Sequence, residues 1–145
     1  MSDSPIEKEY DTMNVLSLFS GIGAFEKALT NLGVNYKVVG FSEVNNNYGK
    51  DIQKVYKKLH GPDIKYLGEI QEINPEKMKT LKNIDIITHG SPCQDFSIAG
   101  DMRGGEKGSG TKSSLMWETV RIVKMIKPKV IIWENVKAVY YKNNI

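Results

Sequence analysis

The sequence predicts an α/β fold in which about five mostly parallel strands are flanked by helices. Two observations carry this. Short apolar runs alternate with longer amphipathic segments, the pattern of a parallel sheet joined by right-handed crossovers. Each run is also followed closely by a glycine, a cysteine or an acid, and open parallel sheets bind ligands beyond the carboxyl ends of their strands. Composition agrees: 145 residues, 40% hydrophobic and 26% charged, suffice for a buried core without covalent staples.

Residues 1–12 are polar, carry Asp3, Glu7, Glu9 and Asp11, and read as a loose tail. That acidity is the reverse of a signal peptide, and no apolar run approaches the roughly 20 residues of a membrane span. A cytoplasmic setting with no membrane partner is expected. Residues 15–19 read as a buried strand, with Gly21 and Gly23 next and a helix over 25–32 stopped by Gly33. Residues 38–41 form a second strand that ends at Ser42 and Glu43. The spacing of Ile52, Val55, Tyr56 and Leu59 predicts a helix over 48–59, ended by His60, Gly61 and Pro62. Residues 64–67 are a weak third strand. Pro75 suits a first helical position and opens a helix to about Leu81. Residues 84–88 are the fourth strand. Residues 90–112 are loop-like, with Gly100, Gly104, Gly105, Gly108 and Gly110. Ser113 or Ser114 caps a helix through Trp117, Val120, Val123 and Met125 to about Lys127. Pro128 breaks it, and residues 130–133 are the last strand.

On this layout residues 19–23, Glu43, Glu69, residues 90–93 and Glu134 share one rim. Charge is unevenly spread. Up to Asp101 there are 11 Lys/Arg against 14 Asp/Glu, and from Met102 onward 9 against 3. A polyanion would be favoured near the glycine-rich stretch; ordinary solvated lysines give the same count. A single cysteine excludes a disulfide framework and a Cys-rich zinc site, and no metal site is expected.

A strand entering Gly21-Ile22-Gly23 and then a helix lets the backbone approach a ligand closely, although tight strand–helix packing also produces Gly-x-Gly. The third glycine of a dinucleotide fingerprint is replaced by Glu26. Glu43, 20 residues past Gly23, stands where a carboxylate can bond ribose hydroxyls, which favours an adenosine cofactor. No P-loop run exists, which argues against an NTPase. Cys93 follows a strand and Pro92 and opens the glycine-rich loop. Near a helix N-terminus or a cation its thiolate would be a nucleophile, whereas a lone cysteine more commonly packs as a small hydrophobe. His89, four residues earlier, reads as a structural or binding residue rather than the base of a cysteine protease. Glu134 is either a solvated strand-end charge or a buried carboxylate of raised pKa that meets a ring nitrogen.

Residues 19–26 (Phe19-Ser20-Gly21-Ile22-Gly23-Ala24-Phe25-Glu26), residues 90–97 (Gly90-Ser91-Pro92-Cys93-Gln94-Asp95-Phe96-Ser97) and Glu134-Asn135-Val136 resemble the DNA (cytosine-5) methyltransferase family in order and spacing. The resemblance runs from about Met13 to the end of the chain. It implies a partial Rossmann-like methyltransferase fold: a tail over 1–12, then the N-terminal part of the catalytic domain over 13–145. It also implies that Cys93 adds to carbon 6 of a flipped cytosine while Glu134 holds ring nitrogen 3. Pro92 would shape the pocket, and Asn135 would fix the loop near Cys93. The implied cofactor is S-adenosyl-L-methionine, with S-adenosyl-L-homocysteine as product. Phe19 would meet the adenine, Ser20, Gly21 and Gly23 the methionine part, and Glu43 the ribose. Glu69 would take the adenine amino group where the family more often has Asp, and Leu115 would line the site. Gln94, Ser97, Arg103 and Lys107 would contact double-stranded DNA.

The family's Arg-containing strand, target-recognition region and late C-terminal segment are missing. Either a second polypeptide supplies them, as in a split methyltransferase, or the chain is truncated. Alone it is expected to transfer little or no methyl. Restriction-modification or phage and bacterial DNA protection is the expected role. The alternatives are a non-catalytic module binding S-adenosylmethionine or DNA, RNA cytosine methylation, and a nicotinamide dehydrogenase. Glu26 and Pro92-Cys93-Gln94 speak against the last.

Overall fold

The structure, a computed structural model, describes residues 11–81, 83–96 and 105–140. Its strands are β1 (Met13–Leu18), β2 (Tyr36–Ser42), β3 (Lys65–Tyr66), β4 (Ile86–His89) and β5 (Val130–Trp133). They form one sheet in the order β3-β2-β1-β4-β5, and every neighbouring pair is parallel. Parallel neighbours need crossover connections. These carry α1 (Ala24–Asn31), α2 (Asn47–His60), α3 (Pro75–Lys79) and α4 (Met116–Ile126). The chain leaves β1 toward β2 and later returns to pair β4 on its other side. The β1/β4 boundary is therefore the topological switch point, where a crevice opens at the carboxyl ends.

Strand alternation sorts the core onto two faces. Leu16 and Leu18 of β1 and Ile87 of β4 pack with Leu67, Ile70, Ile73, Met78 and Ile122. Val15 and Ile86 pack with Leu29 of α1, while Val38 and Phe41 of β2 meet Tyr56 of α2. Val38 and Phe41 share a cluster despite their odd spacing because β2 carries a bulge. Val15 pairs with Val38 but Leu16 pairs with Gly40, which leaves Val39 over. The extra residue resets the alternation. Gly40 thereby turns to the opposite face, where a Cβ would sit 3.2 Å from Leu81.

Several element ends differ from the sequence expectation. The weak third strand shrinks to two residues, and α3 stops at Lys79. Asn46 and Asn74 cap α2 and α3 by accepting N–H groups of Gly49 and Lys77. Neither Ser113 nor Ser114 caps α4, which starts at Met116 after a 3-10 turn at Ser113–Leu115. The Ser113 hydroxyl is taken up by the Asp95 N–H at 3.0 Å, and Thr111 Oγ1 accepts the Ser114 N–H at 3.2 Å. The last strand is the sheet edge, with Val130 and Ile131 exposed. Among the described residues no helix is long and apolar enough to cross a membrane.

Candidate active site

Because all five strands run the same way, their carboxyl ends line one edge of the sheet. Phe19, Glu43, Gly90 and Glu134 each directly follow a strand, and Glu69 lies three residues past β3.

The first cluster is the turn after β1. Phe19, Gly21 and Gly23 all have positive φ, at 52°, 53° and 91°, which folds the chain sharply before α1 begins. Glu43 grips this turn. Its Oε2 accepts the Gly21 N–H at 2.7 Å, and its Oε1 accepts the Val44 N–H at 2.8 Å. Glu69 reaches the same segment, its Oε1 accepting the Asn45 N–H at 2.9 Å. Phe19 and Leu115 both border the core cluster that contains Ile70. Ser20 is buried, and its N–H donates to the Ser42 carbonyl. This places the predicted cofactor residues together.

The second cluster is the turn after β4, with buried Ser91 as its hub. Trp133 Nε1 donates to Ser91 Oγ at 3.1 Å, and Asn135 Nδ2 donates to both Ser91 O and Oγ, at 3.1 and 3.2 Å. Asn135 therefore holds the backbone immediately before Pro92 and Cys93. Cys93 is a free, half-buried thiol, and its carbonyl accepts the Phe96 N–H at 3.0 Å. Asp95 and Ser113, both buried, exchange two bonds: Ser113 Oγ accepts the Asp95 N–H at 3.0 Å and Asp95 Oδ2 accepts the Ser113 N–H at 2.9 Å. Phe96 is buried beside Met116, Ala138 and Val139. The Glu134 N–H bonds the His89 carbonyl, and Glu134 Oε2 lies 3.6 Å from where a Gly90 Cβ would be.

The Glu134 side chain is exposed, not buried, because β5 is an edge strand. His89 is buried and stacks on Trp133 at 5.5 Å with the rings nearly parallel. Burial pushes its pKa down to about 4, so the ring is neutral at pH 7, as suits a packing residue. Gln94 and Lys107 are exposed; Ser97 and Arg103 lie outside the described residues. Among the described residues no group of three metal-ligating side chains occurs.

Sequence reasoning missed three residues behind the first cluster. Glu26 is fully buried, and its Oε1 accepts the Tyr56 hydroxyl at 2.8 Å. Burial and the Glu26 charge together hold that hydroxyl above the usual phenol range. His60 lies against the Ile22 carbonyl. The available signal was helical spacing, which sets Glu26 on the same face as the core residue Leu29.

An open parallel sheet with a glycine turn gripped by an acid on one side of its switch point, and a Pro-Cys turn on the other, defines a Rossmann-like S-adenosylmethionine-dependent methyltransferase fold. Within that class, residues 13–145 match the family model described as C-5 cytosine-specific DNA methylase, and the chain belongs to this family. It is 41% identical over 127 residues to the orphan methyltransferase M.SPRI of Bacillus phage SPR, covering 87% of this chain and 27% of that protein. Against the type II methyltransferase M.HhaI of Haemophilus parahaemolyticus identity is 36% over 131 residues, covering 90% and 36%. The S. pombe Dnmt2 methyltransferase shares the fold with a TM-score of 0.67 at 18% identity, covering 92% of this chain and 37% of its own. The chain thus spans 27% and 36% of the length of these two curated relatives.

Proposed function

We propose that this chain is the cofactor-binding and nucleophile-bearing part of a DNA cytosine-5 methyltransferase that works through a covalent Cys93 adduct. The observation that supports it best is the pairing of two clusters across one switch point: Glu43 on the Gly21 turn, and the Ser91 hub beneath Cys93.

The residues fit S-adenosylmethionine. Each Glu43 oxygen accepts one backbone N–H and keeps a second lone pair for a ribose hydroxyl. A Cβ at Gly21 would meet nothing within 4 Å, so the turn faces open space. Phe19 and Leu115 would hold the adenine, with Glu69 Oε2 on its amino group, and Ser20, Gly21 and Gly23 would border the methionine part. When bound, S-adenosylmethionine supplies an electrophilic methyl group and leaves as S-adenosylhomocysteine.

The chemistry of the other half belongs to the protein. Carbon 5 of cytosine is too weak a nucleophile unaided, and the base must leave the helix stack to be reached. The Cys93 thiol gives its proton to solvent, and the thiolate bonds to carbon 6. The displaced electron pair passes into the ring, where nitrogen 3 takes a proton from water and Glu134 holds the resulting N–H, and carbon 5 becomes enamine-like. Carbon 5 then accepts the methyl. Loss of the carbon 5 proton to a water base expels the Cys93 thiolate, and nitrogen 3 returns its proton to water. Asn135 holds the Cys93 turn through Ser91, and Pro92 shapes the wall. Exposed Lys107, with Arg103, would meet DNA phosphates, and exposed Gln94, with Ser97, would contact the DNA beside the flipped base. The target-recognition region, whether carried by a second polypeptide or by a longer form of this chain, would cover the β5 edge, where Val130 and Ile131 are exposed. The product would protect phage or bacterial DNA in the cytoplasm.

The test complements this chain with the C-terminal part of a related methyltransferase and measures methyl transfer from labelled S-adenosylmethionine to DNA. C93A should abolish transfer while leaving cofactor binding intact. Transfer that survives C93A overturns the adduct. Cofactor uptake with no transfer by the complemented wild type points to a binding module, and transfer to RNA alone points to an RNA substrate.

A further inference from the structure

We propose that His60 and Tyr56, one turn apart on α2, are positioning residues that hold the Gly21–Gly23 turn from behind and so set its affinity for the cofactor; this rests on the cofactor reading above. His60 Nε2 lies 2.9 Å from the Ile22 carbonyl oxygen, and since a carbonyl only accepts, Nε2 carries the hydrogen. That carbonyl belongs to the residue between two glycines of positive φ, so the bond fixes the peptide plane most free to rotate. The Nε2 tip of the ring also sits close against bare backbone. A Cβ on Gly23 would stand 2.0 Å from His60 Nε2.

His60 is itself held. Its ring contacts Tyr56 at 4.7 Å, and Tyr56 stacks on Phe41 at 4.5 Å. Phe41 lies on β2 two residues before Glu43. The Tyr56 hydroxyl donates to Glu26 Oε1, within the first turn of α1. Glu26 Oε2 is buried without a hydrogen-bond partner among the described residues. A buried carboxylate with so few partners is costly for stability alone. It makes sense as a fixed point that ties the start of α1 to α2.

The turn is thereby gripped on two sides, by Glu43 through the Gly21 N–H and by His60 through the Ile22 carbonyl. Glu43 faces the ligand and must share its oxygens with it. His60 faces away, so its grip persists when Glu43 engages a ribose. Loss of His60 should therefore cost cofactor affinity and leave the chemical step alone.

The experiment is calorimetry of the chain with S-adenosylhomocysteine, with amide hydrogen exchange at Gly21, Ile22 and Gly23, for wild type, H60A, H60Q and Y56F. H60A should weaken binding roughly three- to tenfold, the worth of one hydrogen bond, and speed exchange at the three amides. H60Q, whose side-chain amide can donate to the same carbonyl, should recover most of the loss, and Y56F should fall between. In the complemented enzyme the KM for S-adenosylmethionine should rise by the same factor with kcat unchanged. Wild-type affinity in H60A and Y56F overturns the proposal alone, as does a loss in H60A that H60Q does not recover. If the wild-type chain takes up no S-adenosylhomocysteine, the cofactor reading falls and takes the proposal with it.

Discussion

Lowering the pH from 7 to 5 should cost the folded chain about 2 kcal/mol through His89 alone. The ring is buried against Trp133, and burial pushes its pKa from 6.5 down to about 4. The unfolded chain binds the same proton with ordinary affinity. Below pH 6.5 the unfolded state therefore holds more protons than the folded one, and stability falls as pH falls. The slope reaches about 1.4 kcal/mol per pH unit and flattens near pH 4, where the folded ring is protonated too. Integrated between these two pKa values, the penalty is about 0.2 kcal/mol at pH 7 and about 2 kcal/mol at pH 5. The assay is urea unfolding at both pH values for wild type and H89F. Phenylalanine keeps the stack on Trp133 and removes the titrating group. The wild type should lose about 2 kcal/mol more than H89F across the interval. Equal losses in the two proteins would refute the reasoning, because the acid sensitivity would then come from other groups.

Two further outcomes are expected. G23A should destabilise the chain by at least about 1–2 kcal/mol in thermal melts, because the new Cβ must sit at positive φ and displace His60. D95A should cost about 1–3 kcal/mol in urea unfolding by leaving the buried Ser113 N–H without its acceptor, and D95N, which keeps a carbonyl oxygen there, should cost less.

The strand-end positions of Phe19, Glu43, Glu69, Cys93 and Glu134 are legible in the sequence for a physical reason. A parallel strand covered on both faces is a short apolar run, so the next glycine, acid or Pro-Cys pair marks its end. Residues 130–133 show its limit: an apolar run alone does not tell a covered strand from an edge, and β5 is the edge, with Glu134 beside it exposed. The β2 bulge leaves no trace, since Val38 and Val39 are both apolar and alternation carries no information there. Ser113 reads as a helix cap because its type favours one, while Asp95 claims its hydroxyl from 18 residues away. Glu26 reads as a misfit in a glycine fingerprint until Tyr56 is seen against it. His60 reads as a helix stop, and its bond to Ile22 joins residues 38 apart, beyond any local pattern.

The pair of hydrogen bonds between Asp95 and Ser113 has a consequence for the Cys93 turn. It ties together two points 18 residues apart, and within that span Phe96 and Gly105 already touch, since a Cβ on Gly105 would lie 2.3 Å from the Phe96 ring. Closing a longer loop between joined ends costs only about 0.6 kcal/mol of entropy for each doubling. The clasp therefore holds Asp95, two residues past Cys93, to the start of the 3-10 turn before α4 at little cost in loop entropy. The thiol's turn is thus held from both sides, by Asn135 through Ser91 and by Ser113 through Asp95.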